Sequence, residues 1–212
     1  MTDLASLPLH QFVDQLASDA PAPGGGSASA AVGAQGAALL AMVIRLTLGK
    51  EKYKEAWEEL DALLPKLEDA RARLLALIDE DTRAYDAVVA ARRLPKETPA
   101  EKAARQKTVD EATVLATTVP MQTAFFSQSA LAVAPKIAEK GNPNASSDAF
   151  VAGLFLAAAV EGGLANVRIN LPGIVDKELA NGFREDAEHL QEKSREALKS
   201  VREIARARTL IA

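Results

Sequence analysis

The chain has 212 residues, enough for one domain with a substantial core or at most two small ones. Its formal net charge of −4 is spread along the sequence with no basic stripe interleaved with aromatics, which excludes a nucleic-acid interface; the absence of cysteine excludes disulfides and thiolate metal sites. Hydrophobic residues make up 48% but aromatics only 4%, so the core is built from Ala, Leu and Val, residues that suit closely packed helices.

The start, Met1-Thr2-Asp3-Leu4, lacks the basic region of a signal peptide, and a cytoplasmic location is expected. A short helix is expected near Pro8 to Ser18. The break Asp19-Ala20-Pro21-Ala22-Pro23-Gly24-Gly25-Gly26 follows, then a buried helix over about Ser27 to Leu48, stopped by Gly49. An amphipathic pattern runs from about Glu51 to Leu94, with Tyr53, Trp57, Leu60, Leu64, Leu67, Leu74, Ile78, Tyr85 and Val88 at helical spacing. Pro65 should kink or split it, and Pro95 ends it. Thr98-Pro99-Ala100-Glu101 is a capping box with proline at the first helical position; its helix continues past Pro120, with a bend, to Pro135 or Gly141. After the turn Asn142-Pro143-Asn144, Ser146 or Ser147 caps a second buried helix from about Asp148 to Asn170, which Leu171-Pro172-Gly173 stops. A charged amphipathic helix, about Asp176 to Ala207, closes the chain.

Gly24 to Ile44 and Ala112 to Pro135 carry no charge and reach bilayer-spanning length. Both are rich in Ala, Gly, Ser, Thr and Gln, so buried helices are expected rather than a membrane partner. No segment alternates as a strand does. The expected class is therefore all-α, a single domain over residues 1–212 formed as a bundle of long antiparallel helices, with part of the uncharged surface facing a second copy.

Three features could carry chemistry. Pro23-Gly24-Gly25-Gly26-Ser27 opens a helix, where free N–H groups and the helix dipole attract anions and missing side chains admit a ligand. The alternative is a tight turn with Ser27 as N-cap. In Asp79-Glu80-Asp81-Thr82-Arg83, Asp79 and Arg83 are spaced as a surface pair, whereas Asp81 falls on the Leu74, Ile78, Tyr85, Val88 stripe. Partial burial there would raise its pKa and suit it to acid–base work; the alternative is an Asp bonded to a neighbouring helix. Third come Asn142-Pro143-Asn144-Ala145-Ser146-Ser147-Asp148 and then Asn166-Val167-Arg168-Ile169-Asn170. Asn166 and Asn170 lie one turn apart on the face of Gly162, where amides can read a flat heterocycle or simply bridge helices. Glu161, the only charge between Ala149 and Val167, is expected to be buried and is the reserve acid–base group. Lys50 and Lys96, each just past a helix end, are the nearby cations. His10 and His189 lie far apart, so no zinc site is expected.

Taken in order, Pro-Gly-Gly-Gly-Ser, Leu46-Thr47-Leu48-Gly49-Lys50, Asp81 with Ala84, Leu94-Pro95-Lys96, Gly-Asn-x-Asn-x-x-Ser-Asp and Asn-Val-x-Ile-Asn run over nearly the whole chain. In this combination the sequence resembles the formiminotetrahydrofolate cyclodeaminase and methenyltetrahydrofolate cyclohydrolase family. The resemblance implies an all-helical homodimer acting on a tetrahydrofolate that carries a one-carbon unit. Cyclodeaminases (lyases) form the 5,10-methenyl species with loss of ammonia; cyclohydrolases (hydrolases) interconvert it with 10-formyltetrahydrofolate. The resemblance marks Asp81 as proton acceptor. It implies substrate contacts from Gly24, Gly25, Gly26, Ser27, Lys50, Lys96, Asn144, Ser147, Asp148, Asn166 and Asn170, and no cofactor beyond the folate substrate. Bifunctional members carry a separate formiminotransferase domain, for which 212 residues leave no room; this leans toward a cyclohydrolase. The competing reading is a non-catalytic folate-binding or helical interaction protein, which would keep the glycine turn and asparagines without needing a buried acid.

Overall fold

The computed structural model describes residues 3–212; Met1 and Thr2, part of the N-terminal stretch read for a leader, lie outside the described residues. Eight α-helices follow in order: α1 (Leu9–Leu16), α2 (Gly25–Arg45), α3 (Trp57–Asp61), α4 (Leu64–Arg92), α5 (Pro99–Leu131), α6 (Ala134–Lys140), α7 (Ser146–Asn170) and α8 (Lys177–Ala207). Short 3-10 turns precede α1 and α3 and flank α7, and no strand occurs among the described residues.

Four of the long helices form a closed ring. α2 packs on α4 and α7, and α5 packs on the same two from the other side, while α8 lies along α7 and touches α5 and α6. Leu40, Ile44, Leu67, Leu74, Leu77, Leu131, Leu156 and Leu164 fill the interior and are fully buried. Small residues set the spacing: a Cβ on Gly36 would meet Leu156 Cγ at 2.7 Å, so α2 and α7 can approach this closely only with glycine there. Both α2 and the segment around α7 are long and apolar enough to cross a membrane, but half or more of each apolar window is buried in the bundle, where the two helices pack against each other.

Local sequence explains most element boundaries. Pro65 splits the expected amphipathic run by sitting in the first turn of α4, the position where its missing N–H costs nothing. Thr98 and Glu101 close the expected capping box on α5. Asp176 caps α8 through the N–H groups of Glu178 and Leu179. Ser27 is not the N-cap of α2. That role falls to Gly24, the glycines run into the helix, and Ser27 occupies its third position. Nor do Ser146 and Ser147 cap α7, which begins after Ala145; Ser146 Oγ instead donates to the Pro143 carbonyl at 2.7 Å.

α4 and α5 outrun their neighbours. From Asp81, which bonds to the start of α2, α4 continues eleven residues to Arg92, a rise of about 16 Å, before the chain turns into α5. The α4–α5 hairpin thus stands above the N-terminus of α2 and the C-terminus of α7 and walls one side of a cavity at that end.

Candidate active site

The cavity holds about 440 Å³ and is lined by Pro21, Ala22, the three glycines, Asp81, Tyr85, Val88, Arg92, Ala116, Asn166, Ile169 and Asn170. Each wall has a local cause. α2 begins without a side-chain cap, so the N–H groups of its first turn lack intrahelical acceptors. Asp81 of α4 supplies one from outside: its Oδ2 accepts from Ser27 N at 2.8 Å. The Ser27 hydroxyl lies 3.1 Å from the same oxygen and 2.8 Å from the Ile78 carbonyl, so its one proton serves one of them at a time. Gly26 makes this contact possible, because a Cβ there would fall 2.1 Å from Asp81 Oδ1. At Gly25 the nearest atom to such a Cβ is Asn166 Nδ2 at 3.7 Å; there the missing side chain leaves space that belongs to the cavity.

The asparagines are held just as specifically. Pro120 sits inside α5 and has no N–H to give the Ala116 carbonyl. Asn170 Nδ2 supplies that hydrogen bond at 2.8 Å, fixing Asn170 across from Asp81. Asn166 Nδ2 donates to its own helix at Gly162 O, also at 2.8 Å. Each amide therefore keeps its oxygen and a second N–H for a ligand.

Burial pushes the Asp81 carboxyl above the usual aspartate range, and the hydroxyl and backbone N–H of Ser27 pull it partly back. Its Oδ1 accepts no hydrogen bond from another described residue. A carboxylate that is poorly hydrated, positioned through one oxygen and open through the other is equipped to take and return a proton.

The structure divides the sequence candidates into two groups. Gly24, Gly25, Gly26, Ser27, Asp81, Asn166 and Asn170 come together. Lys50, Asn144, Ser147 and Asp148 do not: they lie past the C-terminus of α2 and at the N-terminus of α7, about 30 Å away along the bundle. Lys96 is at the right end but is exposed in the α4–α5 turn and does not line the cavity. Glu161, expected to be buried, is exposed, because α7 packs on its flanks and leaves a strip with Ala158, Ala165 and Ile169 facing outward. Asp79 does not pair with Arg83; its carboxylate accepts from Leu4 N at 2.6 Å and Ala5 N at 3.3 Å, pinning the N-terminal segment to α4. Arg92 was missed as a site residue, although Tyr85, Val88 and Arg92 stand four, seven and eleven residues beyond Asp81 and continue its helical stripe.

The formiminotransferase-cyclodeaminase family profile matches residues 8–189. A methenyltetrahydrofolate cyclohydrolase of Methylorubrum extorquens is 42% identical over 199 residues, which cover 91% of this chain and 96% of that protein. A formimidoyltransferase-cyclodeaminase of Sus scrofa is 37% identical over 169 residues; the match covers 80% of this chain but 31% of the larger protein. The crystal structure of formiminotetrahydrofolate cyclodeaminase from Thermotoga maritima has a TM-score of 0.85 at 28% identity, covering 95% of this chain and 97% of that one.

Proposed function

The chain belongs to the formiminotransferase-cyclodeaminase family and is a folate one-carbon enzyme; on that premise we propose that it is a methenyltetrahydrofolate cyclohydrolase with Asp81 as general base. Asp81 carries the catalytic part of the reading: it is the one acidic side chain lining the cavity, and burial raises its pKa. The cyclohydrolase assignment is favoured over cyclodeaminase because the match to a cyclohydrolase spans nearly all of both chains.

In the hydrolytic direction, water attacks the bridging carbon of the 5,10-methenyl cation as Asp81 takes its proton. The bond from that carbon to N5 then breaks, N5 recovers the proton from Asp81, and the remaining hydroxyl loses its proton to solvent as the formyl carbonyl forms. Cation plus water gives neutral 10-formyltetrahydrofolate and one proton, with Asp81 again ionised. The amides of Asn166 and Asn170 face the pterin's donors and acceptors, and Gly24, Gly25 and Gly26 let its flat ring approach the backbone.

The cyclodeaminase reading rests on the Thermotoga maritima neighbour and uses the same base, which would accept the N10 proton and pass it to departing ammonia. A homodimer in the cytoplasm is part of the proposal. Ala158, Ala165 and Ile169, with Glu161 among them, form the exposed strip on the outer face of α7, and Ile169 is 78% exposed. The deciding experiment follows 5,10-methenyltetrahydrofolate by its ultraviolet absorbance at a pH where spontaneous hydrolysis is slow, beside a parallel assay with the 5-formimino substrate. Turnover of the formimino substrate alone would reverse the assignment.

A further inference from the structure

The folate reading leaves open how the enzyme holds the anionic end of its substrate, since neither Lys50 nor Lys96 lines the cavity. Arg92 does, at the outer end of the α4 wall, about 16 Å along the helix from Asp81. No ion pair among the described residues engages it. A second guanidinium stands beside it: Arg105 of α5 donates from Nε and Nη2 to the Arg92 carbonyl at 3.2 and 3.1 Å, which leaves three of its N–H donors unspent. The acidic group closest to Arg105 in sequence, Glu101, is committed to capping α5 through the N–H groups of Glu97 and Thr98. A cation in the last turn of a helix suits the helix dipole, but that accounts for the charge and not for the side chain lying on the cavity wall.

The opposite side of the site has the opposite sign. Beyond Pro21 and Ala22, which the two share, lies a second cavity of about 750 Å³ lined by Asp3, Asp79 and Asp86 with Arg83. A dicarboxylate leaving the site in that direction meets three carboxylates offset by one arginine, whereas toward the α4–α5 turn it meets Arg92 on the cavity wall, with Arg105 bonded to the Arg92 carbonyl behind it. The span from Asp81 to Arg92 is one that an aminobenzoyl group and its amide can bridge, with the reacting carbon at one end and the glutamate at the other.

We propose that Arg92, backed by Arg105, binds the glutamate carboxylates of the folate. The inference rests on the folate reading above and deepens it: Asp81 sets where the one-carbon unit lies, and Arg92 sets which way the tail leaves. Guanidinium and carboxylate geometry match in pairs of parallel hydrogen bonds, which a lysine at the same place would not reproduce.

The test compares 5,10-methenyltetrahydrofolate with the carboxamide of 5,10-methenyltetrahydropteroate, in which an uncharged amide replaces the glutamate, on wild-type protein, Arg92→Gln and Arg105→Gln. Arg92→Gln is expected to raise KM for the glutamate-bearing substrate about tenfold with kcat unchanged, and to leave the carboxamide form untouched. Arg105→Gln should act in the same direction and more weakly. The wild-type KM should rise with ionic strength for the glutamate form alone. An unchanged KM in Arg92→Gln, or an equal loss on both substrates, overturns the assignment while leaving the enzyme's chemistry standing. If the wild-type protein turns over neither compound, the folate reading fails and this inference with it.

Discussion

The two ends of the bundle look alike in sequence and differ in what their polar groups do. At the glycine end, Asp81, Asn166 and Asn170 each spend part of their hydrogen-bonding capacity on the protein and present the rest to a cavity. At the far end Asn142 turns its side chain to the protein itself. Asn142, 3% exposed, accepts from the Tyr53 hydroxyl and Asn144 N at 3.1 Å each and donates to Leu46 O at 3.2 Å. Its own N–H reaches Thr47 Oγ1 at 2.8 Å, and Trp57 Nε1 donates to Thr47 O at 3.2 Å. Arg208 closes the corner on Ser146 Oγ and the Glu139 carbonyl. One end is braced and the other poised, and the difference is whether the partly buried polar groups are directed at neighbouring segments of the protein or at a cavity.

The largest effect that bears on this contrast is expected at Asp81. Asp81→Asn should lower kcat by about 10²–10⁴-fold with little change in folate binding, measured by steady-state kinetics and ligand titration. Retention of most activity would remove the base from Asp81. The pH dependence follows from its raised pKa. The base works ionised, so kcat/KM should fall as pH drops through a value above the usual carboxylate range, and Asp81→Asn should abolish that limb. Stability runs the other way: the folded state holds this proton more tightly than the unfolded chain, so wild-type stability declines as pH rises through that window. Above it, Asp81→Asn should melt no lower than wild type. This trade of stability for function marks a site rather than a brace.

At the braced end, Asn142→Ala should reverse the pattern. It strands the Leu46 carbonyl and the Asn144 N–H and should cost about 1–3 kcal/mol by denaturant unfolding, with kcat preserved. A smaller effect is expected from Ser27→Ala, which removes a hydroxyl that holds the Asp81 pKa down while the backbone N–H remains. The acid limb of kcat/KM should move to higher pH; an unmoved limb would mean the hydroxyl spends its proton on Ile78. Smallest of all, Lys50→Ala should change KM less than twofold, as an exposed side chain at the wrong end of the bundle. A loss beyond tenfold would show instead that the far end serves the site of a second copy.

Helix periodicity, proline positions and caps made the architecture readable, because these signals act over a few residues. Thr98 with Glu101 and Asp176 mark helix starts as expected, and Pro65 splits the run it interrupts by opening α4. Asp81 was legible because a carboxylate on an apolar stripe has few places to go. Glu161 obeyed the same logic and failed it. An uncharged helix need not be buried all round, and α7 keeps one strip outside the ring.

What the sequence determined by itself was the class, the run of long helices and the identity of the unusual groups: a triple glycine, one misplaced carboxylate and two amides a turn apart. Tertiary structure decided which of them meet. Because α2 and α7 run antiparallel, the start of one lies beside the end of the other, so residues 25 and 166 become neighbours while residues 50 and 144 gather about 30 Å away. The proline in α5 frees a carbonyl that only an asparagine arriving from α7 can satisfy, and the hairpin that outruns the bundle places Arg92 over the cavity. None of these relations is local, since each depends on helix length and direction, and those reach their partners only once the ring has closed.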